Sequence, residues 1–359
     1  MSSRDKMKRL FSIPVVMMTI TLAGCLSQIA RQHPGPGTEK ARMEKQQVIA
    51  EDGYRLPLHH WADADLSNKW QTEKDRAGEA KTQPRAVVLG IHGFNDHGGS
   101  FSILADALTP HGIEVYAYDQ RGFGATRQRG IWPGHRRLVD DAMLVAELLR
   151  KRHPDAPLYL VGESMGAAVT ILALSRDDAP PMAGSVLIAP AVWGWEAMPW
   201  YQRLGLWLGV HLFPSMRFSG DWVRNLGIEP TDDPEIKRKL AEDPLILRHA
   251  RVDTLHGLTH TMDKALKRAS DLPPPALILY GDADDIIPPQ AICALLAQLP
   301  ERDAFRIAFY PEGYHMLTRY TQRERTEMDM LAWLLNPDAS LPSGHEVTQD
   351  EAYQALCEN

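Results

Sequence analysis

The chain has 359 residues, 44% apolar and 24% charged, which is ample material for a large buried core and excludes a disordered or fibrous protein. A net charge of −7 with no basic block argues against nucleic acid as a partner. On length alone, one domain carrying an insertion and two separate domains are both open.

The first residues stand apart from that globule. Arg4, Lys6, Lys8 and Arg9 precede a mostly apolar run, Leu10 to Gly24, too short to cross a bilayer comfortably as a helix of ~20 residues. The run ends in Leu22-Ala23-Gly24-Cys25, which resembles a bacterial lipobox. The resemblance implies a lipoprotein signal peptide, residues 1–24, cut before Cys25. The sulfur and amino group of Cys25 would then carry acyl chains, and several chains anchor firmly where one does not. Leu26 after the cysteine, in place of Asp, favours the outer membrane by the usual sorting preference. Residues 25–45, with Pro34, Gly35, Pro36 and Gly37, read as a flexible tether.

From Gln46 to Trp61, two short apolar runs flank Glu51-Asp52-Gly53 and predict a hairpin. Residues 64–84 are polar and charge-rich, hence a surface loop. Ala86 to Ile91 is a continuous apolar run, the mark of a parallel strand buried on both faces. It opens into His92-Gly93-Phe94-Asn95-Asp96-His97, followed by a helix from Ser102 to Leu108. A second strand, Ile113 to Asp119, leads into Gln120-Arg121-Gly122-Phe123-Gly124. Apolar residues at helical spacing mark Val139 to Arg152. Leu158 to Val161 then meets Gly162-Glu163-Ser164-Met165-Gly166 and an apolar helical run, and Ser185 to Pro190 is again a strand. Alternation stops for residues 191–270, which are rich in tryptophan and leucine. It resumes at Ala276 to Gly281, continues through a helix near Gln290–Leu299 and a last strand from Phe305 to Tyr310, and closes with a helix from about Thr321 to Leu335. Residues 337–359 read as a loose tail. Cys293 reads as a small core residue, and its pairing with Cys357 is left open.

This order predicts a mostly parallel, doubly wound α/β sheet with a helical cap inserted after the sixth strand. The core comprises 46–190 and 271–336, and the cap, 191–270, covers it. Ligands in such sheets sit at the carboxyl ends of the strands, where the loops after His92, Glu163, Asp282 and Pro311 should converge.

Gly-x-Ser-x-Gly between a strand and a helix is the setting of a nucleophile elbow, and it makes Ser164 the candidate nucleophile. A serine hydroxyl needs a base to take its proton, and the base needs an acid to orient it. Downstream stand Gly281-Asp282-Ala283-Asp284-Asp285 and Gly313-Tyr314-His315, each after its own strand. His315 is the candidate base. Of three aspartates, Asp284 is preferred because it stands far enough past the strand to turn over the sheet edge. The amides of Phe94 and Met165 are the candidate oxyanion donors, and His92 is read as a structural hydrogen bonder.

Together these motifs, with Glu242-Asp243-Pro244-Leu245, resemble the monoacylglycerol lipase and lysophospholipase branch of the α/β hydrolases, the serine aminopeptidase S33-like group, over about residues 47–335. Three positions depart from that pattern: Glu163 stands where His is commoner, Ala167 where Gly is, and Ser100 where a bulkier polar residue is. The resemblance implies a serine hydrolase acting on carboxylic esters of lipid type. An acyltransferase using the same triad and an envelope-binding lipoprotein with little turnover are the alternatives. Trp193, Trp195 and Trp200 are expected to line an acyl-binding lid. No cofactor is implied. The third glycine of a dinucleotide fingerprint is replaced by Arg127, and His256 and His260 have metal-like spacing without the glutamate that would accompany it.

Overall fold

A computed structural model describes residues 29–63, 84–193, 195, 198–219, 227–300 and 305–357. The expected signal peptide and the expected lipidation site, Cys25, therefore lie outside the described residues. Among the described residues, no helix is long and apolar enough to cross a membrane.

Strands β1 (Arg42–Met43), β2 (Gln47–Ile49), β3 (Arg55–Trp61), β4 (Ala86–Ile91), β5 (Ile113–Tyr118), β6 (Leu158–Glu163), β7 (Gly184–Ile188), β10 (Ala276–Gly281), β11 (Phe305–Tyr310) and β12 (Glu346–Val347) form one sheet in the order β1-β2-β3-β5-β4-β6-β7-β10-β11-β12. β5 through β11 in that order run parallel, while β3 and β12 pair antiparallel at either side. β4, β6, β7 and β10 are buried along their whole length, which is why they read as unbroken apolar runs. Their side chains alternate between two cores. Val87, Leu89, Ile91, Leu158 and Leu160 face one, and Ala86, Val88, Tyr159 and Val161 face the other. Helices α1 (Ser102–Leu108) and α8 (Arg323–Leu335) cover the second face. The first face is covered by α2 (His135–Arg152), α3 (Met165–Leu174), α6 (Val252–Lys267), α7 (Pro289–Gln298) and α9 (Gln349–Cys357). α3 is buried at all ten positions, as its all-round apolar sequence requires.

The cap contributes α4 (Trp200–Leu212), α5 (Pro234–Glu242) and a small antiparallel pair, β8 (Arg217–Ser219) with β9 (His249–Arg251). The cap follows β7, the sixth strand counted from the predicted hairpin, and β1 adds one more strand ahead of it. Its last helix, α6, packs on α3 and belongs as much to the core layer as to the lid.

Two terminal expectations need correction. Residues 30–39 are laid along the body: Ala30 N–H donates to Asp253 Oδ2 (3.1 Å), Gln32 Nε2 to Ile131 O (2.9 Å) and Gly35 N–H to Asp52 Oδ2 (3.2 Å). This stretch is a strap, since its backbone groups find partners on loops distant in sequence. The tail is ordered as well. β12 extends the sheet edge, α9 packs against α7, and Cys357 is disulfide-bonded to Cys293.

Candidate functional site

The registers Ile91 with Gly162, Glu163 with Ile188, and Gly281 with Tyr310 end their strands along one edge of the sheet. Whatever follows those residues is gathered there. Ser164 takes φ 56° and ψ −117°, a conformation that costs a non-glycine residue energy and aims the side chain out of the turn. The turn is held because Ser164 N–H donates to Ile188 O (2.9 Å) and Ser164 O accepts from Ala191 N–H (3.1 Å). Two close approaches explain the flanking glycines. A Cβ on Gly166 would stand 1.8 Å from Ile91 O, and one on Gly162 would stand 2.5 Å from the Gly166 carbonyl carbon.

His315 and Asp284 are brought together. The His315 Nδ1–H donates to Asp284 Oδ2 at 2.8 Å, and both residues are buried. The carboxylate can only accept, so Nδ1 carries the proton and Nε2 is left free to take one. Asp284 is itself fixed, because Oδ1 accepts from the N–H groups of Ile286 (2.8 Å) and Ile287 (2.9 Å). Asp282 instead accepts from Glu312 N–H, and Asp285 is exposed. Burial pulls the His315 pKa down, but the charge and hydrogen bond of Asp284, aided by Glu163, outweigh it and leave the pKa raised. Among the described residues Ser164 Oγ makes no hydrogen bond, so the serine and the imidazole share an edge without yet being joined.

The loop after β4 runs beside the elbow, close enough that a Cβ on Gly93 would lie 3.3 Å from Ser164 Cβ. Among the described residues, neither the Phe94 nor the Met165 N–H donates to an acceptor, as an oxyanion donor would require. His92 is a brace. Its buried ring bonds Gly93 O through Nδ1 (2.8 Å) and accepts from Gln120 N–H at Nε2 (3.0 Å), and burial lowers its pKa.

A buried ion cluster joins these loops and was not singled out from the sequence. Nη2 of Arg319 donates to Asp96 Oδ2 (2.8 Å) and to Glu163 Oε2 (2.7 Å). Asp96 stood only inside a motif, Glu163 was noted only as a departure from the family pattern, and Arg319 entered no motif. Its only sequence signal is its place four residues after His315.

The aromatic lid divides. Trp193 packs against the core below the cap, and Trp195 stacks on His260 (5.8 Å between centroids) while its backbone N–H donates to Asp263 Oδ1. Trp200, expected to face an acyl chain, is instead at the surface. It is 68% exposed at the start of α4, among Tyr201, Leu204, Trp207 and Leu208, all turned outward. His256 and His260 sit with their Nε2 atoms 3.1 Å apart beneath Trp195. His59, His97 and Asp119 bring ligand-type atoms within 4.8 Å of one another. There, however, both His97 nitrogens are engaged by Asp243 and Gly99, and both Asp119 oxygens accept backbone N–H groups. That set is a hydrogen-bonded bracket between the β4 loop, the β5 loop and the cap.

Residues 82–322 match the family model described as serine aminopeptidase, S33. The chain belongs to this family. Members similar to it include a protein named monoacylglycerol lipase from Mycolicibacterium smegmatis, 27% identical over 71% of this chain and 90% of the relative, and human monoglyceride lipase, 27% identical over 65% and 76%. Among solved structures, a soluble variant of monoglyceride lipase from Saccharomyces cerevisiae aligns with TM-score 0.64 and 21% identity, covering 84% of this chain and 98% of that one. A monoacylglycerol lipase from Paleococcus ferrophilus aligns at 0.59 and 22%, over 78% and 98%. This S33 member is thus an α/β hydrolase of the monoacylglycerol lipase branch.

Proposed function

We propose that the protein is a serine hydrolase that cleaves carboxylic esters of lipid type, monoacylglycerols or lysophospholipids, through an acyl-enzyme. The observation that carries this is the buried Asp284–His315 pair at the strand edge where the Ser164 turn also ends. In this reading Ser164 Oγ attacks the ester carbonyl while His315 Nε2 takes its proton. Asp284 holds the Nδ1–H and stabilises the imidazolium. Phe94 and Met165 N–H groups receive the oxyanion. Collapse expels the alcohol, protonated by His315, and water repeats the sequence to release the acid. The names of the similar relatives support the lipid class.

The same reading places the protein at a membrane. Ala30 is pinned to Asp253 at the start of α6, and Asp253 N–H in turn bonds Pro214 O beside the exposed Phe213, Met216 and Phe218. Ala30 lies five positions after Cys25, a reach of about 17 Å. An acylated Cys25 would therefore hold the apolar outer face of the cap near the lipid.

The test is a set of rates across monoacylglycerols, lysophospholipids and short p-nitrophenyl esters, with fluorophosphonate labelling. Ser164→Ala should abolish turnover and labelling, and labelling that survives overturns the mechanism. Adding an acceptor alcohol and analysing products separates hydrolysis from acyl transfer. Cys25→Ser should release the protein from the membrane fraction.

A further inference from the structure

Three loops must stay in register for the proposed reaction: one offers the Phe94 amide, one Ser164 and one His315. Each carries a member of the ion cluster. Asp96 lies two residues after Phe94, Glu163 directly precedes Ser164, and Arg319 lies four residues after His315. The three meet at a single atom, Arg319 Nη2, and all three side chains are almost wholly buried. The arginine is anchored on its own side too, since its carbonyl accepts from Thr231 Oγ1 (2.6 Å) and Met316 N–H donates to Pro230 O (2.9 Å).

Stability is a poor explanation for this arrangement. A buried ion triad often contributes no more than an apolar replacement of the same volume, because desolvation offsets the attraction. Here the offset is larger than usual, as Glu163 Oε1 and Arg319 Nε are buried with no hydrogen-bond partner among the described residues. The cluster also holds two carboxylates and one guanidinium, and so has one carboxylate more than it has cations.

We propose that Arg319 is a positioning residue that locks the oxyanion loop, the nucleophile turn and the base-bearing loop to one another, and that Glu163, which it holds, presents a fixed negative charge to the imidazolium formed on His315. The imidazolium is then under the influence of two carboxylates, Asp284 hydrogen-bonded at Nδ1 and Glu163 held by Arg319 at the elbow, with Arg319 as the opposing positive charge. The direction of each influence agrees: Asp284 and Glu163 favour the protonated ring, and Arg319 disfavours it. Asp96 keeps its carboxyl ionised against the penalty of burial because Arg319 is there.

The inference rests on the serine-hydrolase reading, and the experiment keeps the two apart. The full chain is assayed with p-nitrophenyl butyrate from acid to neutral pH, with fluorophosphonate labelling at Ser164 as a separate readout. Glu163→Gln keeps the shape and one acceptor but removes the charge. The acid limb of its kcat/KM profile should move to lower pH, and its plateau kcat should fall roughly tenfold with KM little changed. Arg319→Met should lower kcat on the order of 10²-fold, as for a small misplacement of reacting groups. Both bonds leave one nitrogen, so Arg319→Lys should recover at least part of that loss, which a purely space-filling role would not produce. If Arg319→Met does not fold, the Glu163→Gln profile alone decides. A wild-type chain labelled at Ser164 whose Glu163→Gln variant keeps the acid limb in place overturns the role of Glu163. Wild-type rates in Arg319→Met overturn the role of Arg319. Failure of the wild type to label or turn over overturns the hydrolase reading and this inference with it.

Discussion

Gly166→Ala tests how the elbow is built, with a magnitude that follows from one contact. The new methyl would stand 1.8 Å from Ile91 O, 2.6 Å from Ile91 C and 2.9 Å from His92 O, whereas real Cβ atoms stay beyond 3.0 Å. The gap must open by at least 1.2 Å (3.0 minus 1.8). Every opposing atom is backbone, so no side chain can rotate away. The strand end that must move leads directly to Phe94, the candidate oxyanion donor. Misplacing reacting groups by about 1 Å costs on the order of 10²-fold, and losing an oxyanion donor outright costs about 10²–10³. The variant should therefore lose about 10²–10³ in kcat on p-nitrophenyl butyrate, with about 1–3 kcal/mol lost from stability by overpacking. Gly205→Ala is the control. It lies in the exposed cap helix α4 with nothing within 4 Å of an added Cβ, so it should gain about 0.5–1 kcal/mol and keep its rate. Steady-state kinetics and urea unfolding read both effects. A Gly166→Ala enzyme within threefold of wild type refutes the claim that this approach positions the oxyanion loop.

Other outcomes follow from the same geometry. Asp284→Asn removes the anion that orients His315 Nδ1–H, and kcat should fall about 10³–10⁴-fold while the fold persists. In the wild type His315 acts as base only when neutral. Its raised pKa therefore means that kcat/KM is lost, as pH falls, from a point above the ordinary histidine value, and a stopped pH series reads that limb. Replacing Cys293 and Cys357 by serine frees a tail joined across 64 residues, which should lower stability by about 2–4 kcal/mol in urea and leave the rate unchanged, since the disulfide lies between α7 and α9, away from the site. Arg121 is buried in contact with Asp52 and Asp141 and lies over the Tyr54 ring. Arg121→Met should cost about 3–5 kcal/mol because it strands the buried carboxylate of Asp141 and the half-buried one of Asp52.

The parts of this molecule that could be read from sequence are those in which local pattern and tertiary role coincide. β4 and β6 are buried on both faces, so their apolar runs announce a central parallel strand without reference to anything else. Ser164, Asp284 and His315 each follow such a strand, and a residue at a strand end has its place set by the sheet. Terminal segments fail this condition. The Pro-Gly composition near residue 35 describes a chain without its own structure, yet Asp52, Gln128 and Asp253 supply partners for it. Trp200 fails differently. Composition marks the cap as aromatic, but in α4 the large apolar residues face outward, and the face turned to the core is decided by packing with α6.

The same distinction explains why the ion cluster was invisible. A carboxylate before a serine, another in a loop and an arginine in a charged run are each ordinary surface residues by pattern. Their meaning comes from the alignment of strand ends, which carries three loops from distant parts of the chain to one nitrogen. The catalytic groups are fixed by strands individually, but strands set positions only where they end. Beyond the sheet edge, the loops bearing Phe94, Ser164 and His315 are free to drift relative to one another unless something spans them. Arg319 is the described side chain that hydrogen-bonds across all three, so the accuracy of the site passes from the sheet, which is legible in sequence, to a contact that is not.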